Sequence, residues 1–366
     1  MDNPFLNKSG RTEYVTSTCS VNRIRLAKLP IYGVDDSIEG LSVQEFFNVK
    51  LVIAEIKANA EGLHIDVEST DEKALPKLLA EKAVDISDSS GSELAKNIMK
   101  KFGRRLGMFL LALKLSEKEN RAARSDWNDE HWEYWQQLDD VILVGGLASG
   151  IFGDTMKECV KEVFARAGVK PYNVLTYDNS QHVAVLGCAS CIKQQDGVFV
   201  VMDLGQTNMK RSFVVKSGGE VIKLEKLETF PSKYMEWNIP DKAEERRQAA
   251  ELHRYIVSAA EQAYREAESM TGCEPGGEIV ISVASYVVNG KLNDNRSGYA
   301  KLCILGDNYA ECLGYELSGR LRRNISVKLV HDGTAVALNF RSKKNTVCLS
   351  VGSYFGVGFP ETKVDG

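Results

Sequence analysis

Two aspartates follow apolar runs that are typical of buried strands. Asp203 comes after Val198–Met202 and opens DLGQTNMK, in which Gly205 permits close approach of the backbone to a ligand. Asp332 comes after Val327–Val330 and opens HDGTAVAL. Carboxylates at strand ends suit two tasks, holding Mg²⁺ through water and accepting the proton of a hydroxyl. Each could also be a turn residue or a helix N-cap.

The segment after Asp203 has the residue types that hold phosphate. Thr207 and Asn208 can donate hydrogen bonds to phosphate oxygens, and Lys210 can offset their charge. We therefore predict a nucleotide-phosphate loop, with Asp203 also binding the metal. Its predicted contacts are Asp203, Gly205, Gln206, Thr207, Asn208 and Lys210.

Two further glycine-containing loops follow apolar strand patterns. One lies at the end of Thr346–Val351, and the other lies between the run VILV and a helix pattern. Two hairpins can clamp one polyphosphate, and small residues at a strand-to-helix junction suit a nucleotide. The predicted contacts are Gly352 and Ser353 in the first loop, and Gly145, Gly146, Leu147 and Ala148 in the second.

The elements that must position these loops alternate between strands and helices from residue 140 onwards. This alternation, together with hairpin signals such as Gly218-Gly219, predicts mixed-sheet α/β layers. Helical spacing predicts long helices over Ser92–Leu115 and from Asp241 to about Met270. Residues 1–85 suggest strands and turns. VFVVMDLGQTNMKRSFV and NTVCLSVGSYFGVGFP also form a faint internal repeat.

Composition predicts a soluble, cytoplasmic globular protein. The chain has 366 residues, which fits two lobes, and a net charge of −4, which gives no electrostatic reason to expect nucleic acid or membrane as a partner. We find no signal-peptide pattern and no apolar run long enough to span a bilayer. The eight scattered cysteines favour reduced thiols. The sequence does not indicate an oligomeric state.

Taken together, these segments resemble the sugar-kinase/actin/Hsp70 (ASKHA) superfamily, and in particular its hexokinase/glucokinase and ROK-type sugar kinases. DLGQTNMK is similar to the first phosphate loop, VKLVHDGTAVAL to the element with the catalytic aspartate, and CLSVGSYFGVGF to the second phosphate loop. VILVGGLASG is similar to the adenosine loop, and AVLGCAS to the closing helix. The similar segments cover about two-thirds of the chain.

The resemblance implies two ribonuclease-H-like lobes with five-stranded mixed sheets flanked by helices, the actin-like ATPase fold. It also implies ATP and Mg²⁺ as cofactors, a hexose or related small-molecule sugar as substrate, and Asp332 as general base in a cleft between the lobes. Candidate substrate contacts, each with a plain structural alternative, are Asp307, Asn308, His331 and Glu361.

The motifs occur in a different order from that of the family. Here the adenosine loop and closing helix precede the first phosphate loop, so we expect a circular permutation whose old ends are joined through Lys193–Gly197, a link of at most roughly 17 Å. This predicts one lobe of residues 183–340 and a second of 341–366 plus 1–182. A fragment joining two tandem kinases remains the alternative.

Three departures from the family pattern leave a second function open. Gln206 and Tyr354 stand where the phosphate loops usually have glycine, and Ser285-Tyr286 replaces a Pro-Gly turn. The leading prediction is a carbohydrate kinase that uses Asp332. The alternative is a nucleotide- or sugar-binding regulatory pseudokinase that acts through protein partners. An actin/Hsp70-like ATPase is a third possibility, but the segment VKLVHDGTAVAL around Asp332 resembles the hexose kinases more than these ATPases.

Overall fold

The computed structural model describes residues 2–177, 182–293 and 297–364. These residues form two compact units. Unit 1 contains residues 2–4, 20–177 and 345–357, and unit 2 contains residues 5–19, 182–293, 297–344 and 358–364. The segments 5–19 and 358–364 therefore pack with unit 2, whereas the sequence assigned them to the other lobe. The lobe boundaries stay a prediction.

Unit 2 is built around a mixed sheet. With elements numbered in chain order, its strands are β5 (Gly197–Leu204), β6 (Asn208–Ser217), β7 (Glu220–Lys226), β8 (Phe230–Pro231), β9 (Glu278–Val283) and β12 (Ser326–His331). The order is β12-β9-β5-β6-β7, and β8 pairs with β6. β5 runs antiparallel to β6 and parallel to β9, and β9 runs parallel to β12. This sheet confirms the predicted mixed architecture.

The hairpin between β6 and β7 turns at two glycines. Gly218 and Gly219 have φ values of +59° and +88°. Residues with side chains rarely adopt this left-handed region, and two such residues in a row give the turn that matches strand twist. The predicted hairpin is confirmed.

Four helices cover the sheet of unit 2. They are α9 (Val183–Ala189), α10 (Lys242–Thr271), α11 (Tyr309–Leu321) and α12 (Asp332–Ala337). The side chain of Asp241 accepts a hydrogen bond from the Ala243 amide and caps α10, which ends at Gly272 with φ +68°. On β5, Val200 and Met202 belong to the hydrophobic cluster that includes buried residues of α10. Val201 belongs to the cluster on the opposite face, which includes buried residues of α9. Because both faces are covered, β5 is apolar from Val198 to Met202.

Two short hairpins complete unit 2. They are β1 (Leu6–Ser9) with β2 (Thr12–Val15), and β10 (Val287–Val288) with β11 (Lys291–Leu292). They touch through Asn289, whose amide oxygen accepts a hydrogen bond from Thr12 and whose amide nitrogen donates to Ser9.

Unit 1 contains a second, smaller sheet. Its strands over the described residues are β3 (Asp140–Val144), β4 (Asn173–Thr176), β13 (Thr346–Val351) and β14 (Phe355–Gly358), in the order β14-β13-β3-β4. β13, β3 and β4 are parallel. β13 and β14 are joined by a three-residue turn, so they form a hairpin.

The helices of unit 1 include four that the sequence did not predict. The unpredicted helices are α1 (Val43–Phe46), α2 (Val49–Ala58), α3 (Ala60–Leu63) and α4 (Leu75–Lys82). They are followed by α5 (Ser89–Leu115), α6 (Lys118–Ala122), α7 (Asp129–Gln137) and α8 (Gly150–Arg166). The prediction of strands and turns for residues 1–85 is therefore right for the first hairpin and for the turns over 64–74, and wrong for the four helical segments. Over the described residues, no helix has the length and apolar content that a membrane crossing needs.

The two sheets share one pattern. In unit 2 the hairpin β5-β6 lies beside the parallel strands β9 and β12, and in unit 1 the hairpin β13-β14 lies beside the parallel strands β3 and β4. In unit 2 the parallel strands follow the hairpin along the chain, whereas in unit 1 they precede it. The faint repeat noticed in the sequence thus corresponds to the two hairpins.

Candidate functional site

Three polar side chains form a row at the end of β5. Asp203 is the register partner of Lys210 on β6 and of Ser282 on β9, so all three point to the same face. The Lys210 ammonium lies 2.7 Å from Asp203 Oδ2, and the Ser282 hydroxyl donates to Oδ1. Asp203 is only 6% exposed, and its negative charge raises the pKa of Lys210 above the usual value. The row therefore contains an ion pair between a buried aspartate and a half-buried lysine.

Asp332 lies at the start of α12, directly after β12. Its Oδ1 accepts a hydrogen bond of 2.6 Å from the Gly333 amide and lies 3.2 Å from His331 Nε2. Burial, and then the negative charge of Asp203, raise the pKa of Asp332 from 3.8 to about 7. The side chain is still 31% exposed. A carboxyl group with this pKa can take up or release a proton near neutral pH, as a general base must.

His331 is buried beside Asp332 and caps α12. The backbone N–H of Thr334 donates to His331 Nδ1 at 3.3 Å. The imidazole ring stacks on Tyr286, with ring centroids 4.7 Å apart and planes 14° apart. These contacts fix the ring in place.

The predicted first phosphate loop is the turn between β5 and β6. The Gly205 amide donates to the Asn208 carbonyl at 3.0 Å, and the Gly205 carbonyl accepts hydrogen bonds from Tyr299 and Ser232 at 2.8 and 2.7 Å. Gln206, at the usual glycine position, donates to the Ala284 carbonyl at 3.2 Å. The turn is therefore held from several sides.

Within this turn, Thr207 is exposed, and Asn208 and Lys210 are half-buried. Thr207 can thus reach a phosphate from solvent, whereas Lys210 is already paired with Asp203.

The two predicted loops of unit 1 lie next to each other. Gly145 has φ +107°, and a Cβ there would overlap the carbonyl oxygen of Val351, one residue before Gly352. The chain then forms a 3₁₀ turn over Gly146–Ala148, in which Gly146 is exposed and Leu147 and Ala148 are buried. The structure thus brings the predicted adenosine loop to the end of β13.

The turn after β13 is partly tied to α2. The Gly352 carbonyl accepts a hydrogen bond of 3.0 Å from the Val49 amide, Ser353 is half-buried, and Tyr354 is 55% exposed. The Tyr354 ring at this usual glycine position therefore points largely into solvent.

A cavity of about 420 Å³ in unit 2 adjoins His331. His331 and Thr334, on either side of Asp332 along the chain, line one part of it, and Asn308 lines another. The lining of the cavity includes both polar and apolar side chains. Further lining residues include Glu13, Tyr14, Val15, Val287, Asn289, Lys328 and Leu329.

The candidate substrate contacts divide into two groups. His331 and Asn308 line this cavity, and Asn308 also accepts a hydrogen bond from the Glu311 amide as the N-cap of α11. Asp307 is exposed and lines a different, open depression, which Asn308 and His253 also line. Glu361 is an exposed residue after β14 and lines neither cavity.

The sequence reasoning missed several residues of this region. Ser282 could have been found by aligning the carboxyl ends of the parallel strands β5 and β9, because both end at the same edge of the sheet. Glu13 and Tyr14 gave no such signal, since they are distant in the chain from His331. Ser285, at the departure from the Pro-Gly turn, is 3% exposed and its hydroxyl has no hydrogen-bond partner among the described residues.

Asp203 fits a metal ion only through water. Both of its carboxylate oxygens already have protein partners, so direct coordination would displace Lys210 or Ser282. Each oxygen keeps a second lone pair that can accept from metal-bound water. Among the described residues no group of three or more His, Cys, Asp or Glu could hold a metal. This donor set suits Mg²⁺ that arrives with its waters on nucleotide phosphates.

Comparison with known proteins identifies no family. No family model and no curated protein matches the chain. A hexokinase from Schistosoma mansoni complexed with glucose aligns with 48% of this chain and 43% of its own, at 19% identity and TM-score 0.32. A Ppx/GppA phosphatase from Aquifex aeolicus aligns over 72% of this chain and 87% of its own, at 12% identity and TM-score 0.28. An exopolyphosphatase-like protein aligns over 66% of this chain and 85% of its own, at 11% identity and TM-score 0.28.

Proposed function

We propose that this protein is an ATP-dependent phosphotransferase that phosphorylates a hydroxyl group of a hexose or related carbohydrate, with Asp332 as general base. The observation that carries the proposal is the state of Asp332. Its carboxyl group has a pKa raised to about 7 and lies at the start of a helix, near a second, compensated carboxylate. The resemblance of five sequence segments to sugar kinases supports the same chemistry.

In the proposed reaction, the substrate hydroxyl oxygen attacks the γ-phosphorus of ATP. The bond between that phosphorus and the β,γ-bridging oxygen breaks, and ADP leaves. Asp332 accepts the hydroxyl proton and later releases it to solvent. Such transfer depends mainly on positioning and charge compensation, and the base contributes a smaller part. A bound Mg²⁺ would neutralise phosphate charge, and Asp203 would hold it through water.

We assign nucleotide binding to the glycine loops. In unit 2 the exposed Thr207 is placed to donate to a phosphate oxygen. In unit 1 the adjacent Gly145–Ala148 and Gly352–Ser353 segments are the candidates for adenosine and phosphate contacts. Small residues at these positions allow close approach of the backbone.

The carbohydrate is assigned to the 420 Å³ cavity beside His331. Its volume is in the range of small-ligand sites, which lies between roughly 300 and 1,000 Å³. Glu13, Asn289 and Asn308 offer hydrogen-bonding groups, as a hydroxyl-rich ligand requires.

A coupled assay of ADP release with a panel of hexoses tests this function. We expect turnover with at least one sugar, and a loss of about 10²- to 10⁴-fold in kcat for Asp332→Asn. Nucleotide binding should persist in the variant, because the loops are unchanged. The matched control is Asp241→Asn, which changes an exposed aspartate at the start of α10 and should keep most of the activity. Absence of turnover with every sugar, despite nucleotide binding, would sink the proposal.

A regulatory pseudokinase is the second candidate, and the phosphate loop of unit 2 gives the observation that favours it. Lys210 is held by Asp203, and Gln206 bonds across the turn to Ala284. If these contacts persist with nucleotide bound, the protein would bind ATP and sugar without transferring phosphate. The same assay separates the two functions.

A further inference from the structure

His331 connects Asp332 with an aromatic ring and with the first turn of α12. Its ring is 7% exposed, stacks on Tyr286, and presents Nε2 at 3.2 Å from Asp332 Oδ1. The sugar-kinase pattern has an asparagine at this position, so the contact does not follow from the sequence resemblance.

The contacts of the ring determine which nitrogen carries the proton. Thr334 donates its backbone N–H to His331 Nδ1 at 3.3 Å, and its hydroxyl lies at the same distance from that nitrogen. Nδ1 is therefore an acceptor. In a neutral imidazole the other nitrogen then carries the hydrogen, so Nε2–H lies next to Asp332 Oδ1.

The two recorded contacts of the Asp332 carboxyl group both involve Oδ1. Oδ1 receives the Gly333 amide and faces His331 Nε2. Among the described residues, no hydrogen bond to Oδ2 accompanies these contacts. The Gly333 amide donates to Oδ1, and the Nε2–H of the neutral ring lies beside the same oxygen, so Oδ2 is the oxygen left open to take up a proton.

We propose that His331 is a positioning residue that holds Asp332 through Oδ1 and directs Oδ2 towards the substrate hydroxyl. The inference rests on the proposed phosphotransferase function and names a further residue for that reaction. Tyr286 has a supporting role, because stacking at 14° prevents the imidazole from rotating away.

A purely structural role makes a different prediction. As the N-cap of α12, His331 needs only an acceptor for the Thr334 amide, which serine or asparagine supplies equally well. As a positioning residue it also needs a donor towards Asp332, which the asparagine amide supplies and the short serine hydroxyl does not.

The matched variants His331→Ser and His331→Asn separate these roles in the full-length chain. We expect His331→Ser to lower kcat about 10- to 100-fold with little change in KM for ATP, and His331→Asn to restore most of it. Equal activity of both variants with the wild type would overturn the proposal. Equal loss in both variants would also overturn it, because the asparagine amide would then fail to replace the imidazole donor.

A measurement that needs no turnover tests the contact itself. Long-range ¹H–¹⁵N NMR of the His331 ring, assigned through the His331→Asn variant, should show a protonated Nε2 and an unprotonated Nδ1. The opposite tautomer overturns the inference even if the protein is an active kinase. A wild type without turnover contradicts the proposed function, and with it the catalytic use of the contact, whatever the tautomer.

Discussion

Two carboxyl groups in unit 2 have different electrostatic surroundings. Asp203 is compensated by the Lys210 ammonium and the Ser282 hydroxyl. Asp332 has only an amide and an imidazole nitrogen near Oδ1 among the described groups, and it also senses the negative charge of Asp203. Nearby carboxyl groups in unlike environments commonly take different roles in proton and charge transfer. This contrast is consistent with the proposed roles, in which Asp203 holds the metal through water and Asp332 accepts the proton.

The raised pKa of Asp332 predicts a pH-dependent effect of Asp332→Asn on stability. Below about pH 3.8 the carboxyl group is protonated in both the folded and the unfolded state, and it contributes nothing to the difference. As the pH rises to about 7 the unfolded state ionises first, so the wild type loses stability that the variant keeps.

The free energy of unfolding of Asp332→Asn should therefore exceed that of the wild type by an amount that grows from about pH 4 to 7 and then stays constant. Because the side chain is 31% exposed, we expect a gain on the order of 2 kcal/mol, less than the full shift would give. Urea denaturation at several pH values measures it, with the exposed Asp241→Asn as control. A difference that does not depend on pH would contradict the burial of Asp332.

At the scale of elements, the site depends on the crossing of α9 and α12. A Cβ at Gly187 of α9 would overlap the carbonyl oxygen of Ala335 in α12, so the two backbones touch. α12 begins with Asp332, and α9 also packs on β5 near Asp203. The crossing therefore fixes the distance between the two carboxyl-bearing elements.

Gly187→Ala should separate the two helices. We expect a loss of about 1–3 kcal/mol in the free energy of unfolding, together with reduced turnover. Gly319→Ala is the matched control, since Gly319 is exposed in α11 and a methyl group there would meet no other atom; we expect a gain of about 0.5–1 kcal/mol. Urea denaturation measures both. Equal stabilities of the two variants would show that the helices are not in close contact.

Elements with strong local patterns could be predicted from the sequence. Strand β13 has the predicted bounds, and α10 begins after the predicted Asp241 and ends at Thr271, one residue beyond the predicted Met270. Helices α1 and α3 have four residues each, too few to show a period. The β-branched residues of α2 favour strand as well as helix, which is why the prediction for these segments was wrong.

The site could be predicted only in part, for a similar reason. Asp203 and Asp332 come at the ends of recognisable strands, so their position at the carboxyl ends of the parallel strands could be anticipated. The pairing of Lys210 with Asp203, and the stacking of Tyr286 on His331, depend on side-chain packing that no local pattern encodes. The presence of Glu13 in the cavity depends on a hairpin from the opposite end of the chain.

At the scale of the whole molecule, the order of the strands bears on the proposed permutation. In unit 1 the parallel strands β3 and β4 precede their hairpin, although the sheet pattern matches that of unit 2. Phe5 stacks on Phe359 with ring centroids 5.4 Å apart, and the Glu13 amide donates to the Lys363 carbonyl at 2.7 Å. Segments close to the two ends of the chain therefore lie side by side in unit 2. One cut and one join would restore the order of the sugar kinases.

A permuted chain tests this proposal. We expect a protein joined from residue 364 to residue 5 by a short glycine linker, and opened between Lys193 and Gln194, to fold with a stability within about 1 kcal/mol of the wild type. Residues 193 and 194 are exposed, so a break there removes little packing. Opening between Val200 and Val201 inside the buried β5 is the control and should prevent folding. Failure of both permuted chains would count against the proposed permutation.

The fate of the γ-phosphoryl group tests the central claim most directly. ATP labelled in that group is incubated with the wild type and the best sugar of the panel, and the label is followed in sugar phosphate and in inorganic phosphate. The account predicts that the label moves to the sugar, and that Asp332→Asn lowers this transfer about 10²-fold or more while ATP still binds. Label found only in inorganic phosphate, or transfer that is unchanged in Asp332→Asn, would contradict it.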